Sequence, residues 1–246
     1  MRFFGLIGYP LGHSFSRIFF TQKFEKENIA AQYNLYPLEN ISQFPELISS
    51  IGFTGLNVTI PYKEKIIPFL NELDETAAEI GAVNVIKFSK VNGKLHMKGY
   101  NSDAIGFEKA ILPYLKDYHT QALVLGTGGA SKAIDYTLRK LGIKTTFVSR
   151  KSSPGILSYQ ELNPRIIKDN LLIVNCTPLG MHPNTEYCPD IPYDLLGSSH
   201  LLYDVIYKPE ETLFIKKGKD KGAVTVNGLE MLYGQAVAAW EIWNNK

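Results

Sequence analysis

Ala122-Leu123-Val124-Leu125-Gly126-Thr127-Gly128-Gly129-Ala130-Ser131-Lys132-Ala133-Ile134-Asp135-Tyr136-Thr137-Leu138 is the stretch from which the fold can be read. Residues 122–125 form a short apolar strand, 126–131 a glycine-rich turn, and 132–138 read as a helix. A strand that passes through glycines into a helix offers backbone N–H groups and a helix dipole to a pyrophosphate. Ser131 stands where the usual fingerprint has its third glycine, so the turn alone also suits an ordinary parallel α/β protein. The next strand, Thr145-Thr146-Phe147-Val148, adds weight to the dinucleotide reading. It ends in Ser149-Arg150-Lys151, about twenty residues past the glycines, where an acid serves the ribose 2′-hydroxyl of NAD and an arginine suits a 2′-phosphate. The spacing and the charge together point to NADP(H).

More than a hundred residues precede this turn, enough for a separate domain, and a dehydrogenase needs a second body for its substrate. The N-terminal half alternates strand and helix. Strands are expected at 2–8, 33–36 and 55–60, with helices at 15–29 and 41–51. The first of these helices carries Ile18, Phe19, Phe24 and Ile29 toward a core. Two short helices follow, one after Pro61 and one at 75–80 capped by Asp74. Residues 82–88 and 94–98 pair as a hairpin around Asn92-Gly93, a strong two-residue turn signal. Asp103 opens a helix to about Leu115. Further strands fall near 122–125, 144–149, 171–175, 201–206 and 223–226, and this alternation argues for parallel βαβ units. The last segment, 229–243, is helical, with Leu232, Ala236, Ala239, Trp240 and Trp243 on its apolar face. The fold class is therefore α/β with two domains. Residues 1–102, joined by 228–246, form the substrate domain, and 103–227 the Rossmann-like dinucleotide domain.

Composition narrows the function. The 246 residues are 45% hydrophobic and 20% charged, with a formal net charge of +2. Those fractions belong to a soluble globular protein, and the charge gives no reason to expect nucleic acid or an acidic membrane. No run approaches the roughly twenty apolar residues that span a bilayer. Residues 1–8 carry no cleavage pattern and read as a first strand rather than a signal peptide. Cys176 and Cys188 lie in no metal-ligand spacing and suit a reducing cytoplasm. No histidine pair flanks a glutamate at zinc-hydrolase spacing, so no metal is expected. The sequence leaves monomer and homodimer open.

Five polar clusters fall at strand ends, where α/β folds place ligands. In Tyr9-Pro10-Leu11-Gly12-His13-Ser14-Phe15-Ser16, the two serines suit either an anionic carboxylate or plain helix capping. Asn57-Val58-Thr59-Ile60-Pro61-Tyr62-Lys63 ends in a lysine that, taken alone, reads as a solvated charge. The others are Gly81-Ala82-Val83-Asn84, Asn101-Ser102-Asp103, and Gly228-Leu229-Glu230-Met231-Leu232-Tyr233-Gly234-Gln235.

Together these clusters resemble the shikimate dehydrogenase family, nearly end to end. The matching words, in the family's order, are GYPLGHSFS, NVTIPYK, GAVN, YNSD, GTGGASKA, NCTPLGM, YDVIY and NGLEMLYGQA. The resemblance implies NADPH-dependent reduction of 3-dehydroshikimate to shikimate, a step of aromatic amino-acid biosynthesis. It gives Ser14, Ser16 and Tyr207 to the substrate carboxylate. Thr59, Lys63, Asn84, Asp103 and Gln235 go to the ring hydroxyls and the reacting carbon. It lays Gly126, Gly128, Gly129, Ala130 and Ser131 along the pyrophosphate, and Arg150 with Lys151, after Ser149, on the 2′-phosphate. Thr177, Met181 and Gly228 line the rest of the cofactor. Lys63 is the expected proton donor and electrostatic stabiliser, with Asp103 as its catalytic companion.

Three positions depart from the family pattern: Ser149 where asparagine is common, Arg17 where proline is frequent, and Glu230 where glycine is frequent. None removes a residue the chemistry requires. The neighbouring possibilities are a quinate/shikimate dehydrogenase with relaxed substrate or NAD use, a nucleotide sensor without turnover, and a methylene-tetrahydrofolate enzyme. The paired serines disfavour the last, and retention of Lys63, Asp103 and Gln235 disfavours the sensor.

Overall fold

The computed structural model describes residues 1–12 and 14–245; His13 of the first polar cluster and Lys246 of the C-terminal segment lie outside the described residues. The chain folds as two compact units, Met1–Ser102 with Ala236–Lys246, and Asp103–Gln235.

The first unit runs β1 (Arg2–Gly8), α1 (Phe15–Lys26), β2 (Ala31–Pro37), α2 (Phe44–Ser50), β3 (Phe53–Val58), β4 (Glu72–Leu73), α3 (Glu75–Ile80), β5 (Val85–Val91) and β6 (Lys94–Tyr100). Its sheet has the order β2-β1-β3-β5-β6-β4. β1 lies parallel to both β2 and β3, while β5 runs antiparallel to β3 and to β6. The strand order reverses at β1, which places the ends of β1 and β3 at a switch point of the sheet, the usual ligand position in such folds. Side-chain alternation gives the sheet two apolar faces. Phe4 and Leu6 join one core cluster with Phe20, Phe24 and Trp243, and Ile7 joins another with Phe44, Leu56 and Ile86.

The second unit begins with most of α4 (Ser102–Ile111) and continues through β7 (Gln121–Leu125), α5 (Gly129–Lys140), β8 (Lys144–Ser149), β9 (Ile156–Ser158), α6 (Pro164–Asp169), β10 (Leu172–Asn175), β11 (Leu201–Asp204), α7 (Leu213–Asp220), β12 (Val224–Val226) and the start of α8 (Leu229–Asn244). All six strands are parallel, in the order β9-β8-β7-β10-β11-β12. Counted within the unit this is 3-2-1-4-5-6, the doubly wound dinucleotide-binding order, with its switch point between β7 and β10.

Several element boundaries differ from the sequence expectation. Among the described residues no α-helix forms between Pro61 and β4. The Lys63 carbonyl accepts from Val83 N at 2.7 Å, and Ile67 N bonds Glu64 O, so the ladder stops at the short 3₁₀ turn Ile67–Phe69. α1 ends at Lys26 and buries Phe20 and Phe24, leaving Ile18 exposed rather than in the core. α4 ends at Ile111, where Pro113 follows in a 3₁₀ turn. β11 stops at Asp204: Val205 N makes the last bond across to β10, at Asn175 O, and Ile206 N turns back to the Asp204 carboxylate. The hairpin spans 85–91 and 94–100, with Asn92 and Gly93 at φ 52° and 76°, as its two-residue turn requires. Two short edge strands, β4 and β9, carried no sequence signal. Residues 228–246 are expected in the first domain from the sequence. In the structure α8 divides after Gln235, since Met231 packs with Phe107 and Gly234 approaches Gly106. Among the described residues no helix is long and apolar enough to cross a membrane.

Candidate functional site

In the first unit, hydrogen bonds between loops gather polar residues at one end of the sheet. Thr59 N donates to Ile7 O at 2.9 Å, joining the ends of β1 and β3. Val58 N donates to Asn84 O at 2.9 Å, and Val83 N to the Lys63 carbonyl. Lys63 is half-buried and follows Tyr62, whose buried hydroxyl donates to Leu38 O at 2.5 Å. The backbone carrying Lys63 is thus held on both sides of the turn. Asn84 is buried; its Oδ1 accepts from Ser102 N at 2.7 Å and its Nδ2 lies 3.0 Å from Ser102 Oγ. This amide therefore fixes the start of α4, where Asp103 is the next residue and is itself buried.

Ser14 is the N-cap of α1, its Oγ accepting from Arg17 N at 3.4 Å. Ser16 hydrogen-bonds Tyr33, and the buried Tyr33 hydroxyl donates to Asn57 Oδ1 at 2.7 Å. Asn57 Nδ2 in turn donates to Asn84 O at 3.3 Å. Ser16 and the Asn84 carbonyl are therefore ends of one polar chain whose middle members are buried. Its middle members, Tyr33 and Asn57, escaped the sequence reading as functional residues. Asn57 stood in a motif, but Tyr33 lies in β2 with nothing local to distinguish it.

In the second unit the glycine turn sits at the switch point. Gly126 has φ +102°, and a side chain there would meet Thr177 Cγ2 at 3.3 Å and the Cys176 carbonyl carbon at 3.4 Å. Only glycine satisfies both the backbone and the contact. Gly128 is the N-cap of α5, makes no side-chain cap, and has open space where a Cβ would project. Gly129 and Ala130 form the first turn of this twelve-residue helix. The buried Ser131 donates its hydroxyl to Gly128 O at 2.6 Å, so its side chain braces the turn from inside. A helix start with no side-chain cap, at a glycine whose Cβ position is open space, fits a pyrophosphate. Ser149 ends β8 opposite Ser158 of β9, and Arg150 and Lys151 follow as exposed cations. These residues fit a dinucleotide that carries a 2′-phosphate.

Of the remaining positions, Thr177 and Met181 follow β10, Tyr207 follows β11, Gly228 directly precedes α8, and Gln235 lies on α8. Thr177 accepts from Leu179 N at 3.3 Å, and Met181 is exposed after Gly180, whose φ is +97°. Gly228 opens α8 so close to β11 that a Cβ would fall 2.1 Å from Val205 O. Tyr207 is half-buried, and burial pushes its phenol up. Gln235 lies at the buried edge of α8, its Nε2 donating to Leu232 O at 3.1 Å.

Asp204, which the sequence reading did not single out, is fully buried at the end of β11. Its Oδ1 accepts from Asn175 Nδ2 and Ile206 N, both at 3.0 Å, and its Oδ2 from Thr212 Oγ1 at 2.6 Å. Burial pushes this carboxyl up to about 6, against the lowering effect of those three donors. The titratable groups that face it are the Cys176 thiol and the Tyr193 and Tyr203 hydroxyls, none of them cationic. A carboxyl raised in the folded state holds its proton more tightly there than when unfolded. Its contribution to stability is complete below its unfolded value near 3.8 and is lost as pH rises through about 6. At neutral pH the loss is about 3 kcal/mol, at 1.36 kcal/mol per unit. The stability of the unmodified protein relative to Asp204→Asn should therefore fall by about that amount between pH 4 and 7. Denaturant melts across this range measure it, and parallel pH profiles would contradict the assignment.

Residues 6–86 match the family described as shikimate dehydrogenase substrate binding domain. The shikimate dehydrogenase (NADP(+)) of Methanosphaera stadtmanae is 35% identical, across 98% of this chain and 91% of its own length. Among solved structures, the shikimate dehydrogenase of Aquifex aeolicus superposes with a TM-score of 0.87 at 36% identity, covering 99% of this chain and 92% of that one. The Thermus thermophilus enzyme, solved in complex with NADP(H) and shikimate, gives 0.85 at 28% identity, with 99% and 94% coverage.

Proposed function

The chain belongs to the shikimate dehydrogenase family, and we propose on that premise that it reduces 3-dehydroshikimate reversibly to shikimate with NADPH. This is a step of aromatic amino-acid biosynthesis, and the two free cysteines suit a cytoplasmic setting. The observation that carries the reading is the gathering of Thr59, Lys63 and Asn84 at one end of the first sheet by the bonds from Val83 to Lys63 and Val58 to Asn84.

Held at the start of α5, NADPH would supply the hydride. The Lys63 ammonium donates the proton that the nascent alkoxide takes up, and its charge stabilises the oxygen before the proton moves. Asp103 accepts a hydrogen bond from a substrate hydroxyl. Ser14, Ser16 and Tyr207 hold the carboxylate, and Thr59, Asn84 and Gln235 hold the ring hydroxyls. Gly126, Gly128, Gly129, Ala130 and Ser131 hold the pyrophosphate at the start of α5. Ser149, Arg150 and Lys151 hold the 2′-phosphate, with Thr177, Met181 and Gly228 along the remainder.

Following NADPH absorbance while purified protein is mixed with shikimate and NADP⁺ tests this function. Turnover should be fastest with that pair. Faster turnover with quinate or with NAD⁺ would overturn it. Arg150→Ala should raise KM for NADPH roughly 10- to 100-fold, the worth of one charge-assisted phosphate contact, and leave KM for NADH in place. Equal effects on both cofactors would remove Arg150 from the phosphate site.

A further inference from the structure

A carboxylate can only accept hydrogen bonds, and this fixes the orientation of any amide beside it. Asp204 Oδ1 accepts from Asn175 Nδ2, so Asn175 must turn its oxygen the other way. That oxygen accepts from both Thr177 N, at 3.0 Å, and Thr177 Oγ1, at 2.7 Å. Thr177 Oγ1 then accepts from Leu179 N. Four groups in series thus run from a buried carboxylate into the loop after β10. The same carboxylate holds Ile206 N, and Ile206 O accepts from Gly228 N at 3.0 Å. Its other oxygen takes the Thr212 hydroxyl at the N-cap of α7.

The far end of this series lies against the glycine turn. Thr177 Cγ2 sits 3.3 Å from the position a Gly126 side chain would take, and Cys176 N donates to Leu125 O at 2.9 Å. A shift of Thr177 by a fraction of an ångström would therefore alter the wall beside Gly126.

We propose that Asp204 is a positioning residue for cofactor binding, which locks the 175–181 loop against the glycine turn by dictating the orientation of Asn175. The proposal rests on the reading of residues 175–181 as a cofactor loop. An amide at 204 must keep its oxygen toward Ile206 N and Asn175 Nδ2, so Asp204→Asn replaces a charge-assisted bond to Asn175 by a weaker neutral one and loosens the constraint while keeping the side-chain shape. Thr177→Val removes the hydroxyl half of the next link, and with it the acceptor for Leu179 N, without touching Asp204.

The test uses NADP⁺ itself as probe. Calorimetric titration gives its affinity for the unmodified protein, Asp204→Asn, Thr177→Val, the double variant and Arg150→Ala. Amide exchange of residues 176–181 is followed in the cofactor-free protein. Asp204→Asn should speed exchange in 176–181 selectively, leave β7 protected, and weaken NADP⁺ roughly tenfold, on the order of one charge-assisted hydrogen bond. Thr177→Val should do the same, and the double variant should be no weaker than the worse single one, because both break one series. Unchanged loop exchange in Asp204→Asn, with Arg150→Ala still weakening NADP⁺, overturns the role of Asp204 alone. Faster exchange in 176–181 with undiminished NADP⁺ affinity overturns the loop's assignment, and the proposal with it. Faster exchange throughout the unit would reduce Asp204 to a structural support and also overturns the proposal.

Discussion

Lys63→Ala is expected to lower kcat by roughly 10²–10⁴ with only a modest change in KM, as when a general acid is removed. The local structure makes the variant readable. The backbone at 63 is held by its carbonyl bond from Val83 and by the buried Tyr62 before it, neither of which uses the lysine side chain. Those backbone bonds, and the bond from Thr59 to Ile7, stay in place in the truncated variant. The loss falls on the step in which negative charge appears on oxygen, which is the signature of an interaction made only in the transition state. Steady-state kinetics with shikimate and NADP⁺ measure it. A rise in KM with kcat intact would make Lys63 a binding residue instead.

The nucleotide unit is legible in the sequence because its signals are local. A strand, a glycine turn and a helix lie within seventeen residues, and the basic pair sits at the end of the following strand. The hairpin at Asn92-Gly93 and the Asp74 cap were legible for the same reason. What stayed hidden depends on distant partners. The missing helix after Pro61 is decided by Val83, twenty positions on from Lys63, which takes the carbonyl that a helix would have used. Asp204 looked like one acid in an apolar run, and only its bonds to Asn175, Ile206 and Thr212 reveal a hub. Ser131 departs from the glycine fingerprint without cost because its hydroxyl closes onto Gly128. Gly55 gave no sign of its role, since the residue that needs the space is Trp243.

That last pairing supports the second large effect. Trp243→Ala should cost about 3–5 kcal/mol, the range for emptying a large aromatic site in a core. The indole is nearly buried among Phe4, Phe20 and Tyr33, with ring centroids 4.8, 5.2 and 6.5 Å away. Its Nε1 donates to Ile86 O at 3.0 Å, on β5, and its ring lies flush on Gly55 of β3, where a Cβ would fall 2.2 Å from Nε1. One side chain from the C-terminal helix therefore pins two strands, and these are the strands whose ends carry Thr59, Lys63 and Asn84. Melting temperature should drop on the order of 10 °C, and KM for shikimate should rise in the fraction that stays folded, with KM for NADPH unmoved. Gly55→Ala attacks the contact from the other side and should reproduce both effects, because β3 cannot yield without moving Asn57. Trp243→Phe keeps most of the ring but leaves the Ile86 carbonyl without its donor, which limits its cost to about 1–3 kcal/mol. If the phenylalanine variant proves as damaging as the alanine one, packing is not what holds these strands, and the link from the last helix to the substrate residues fails.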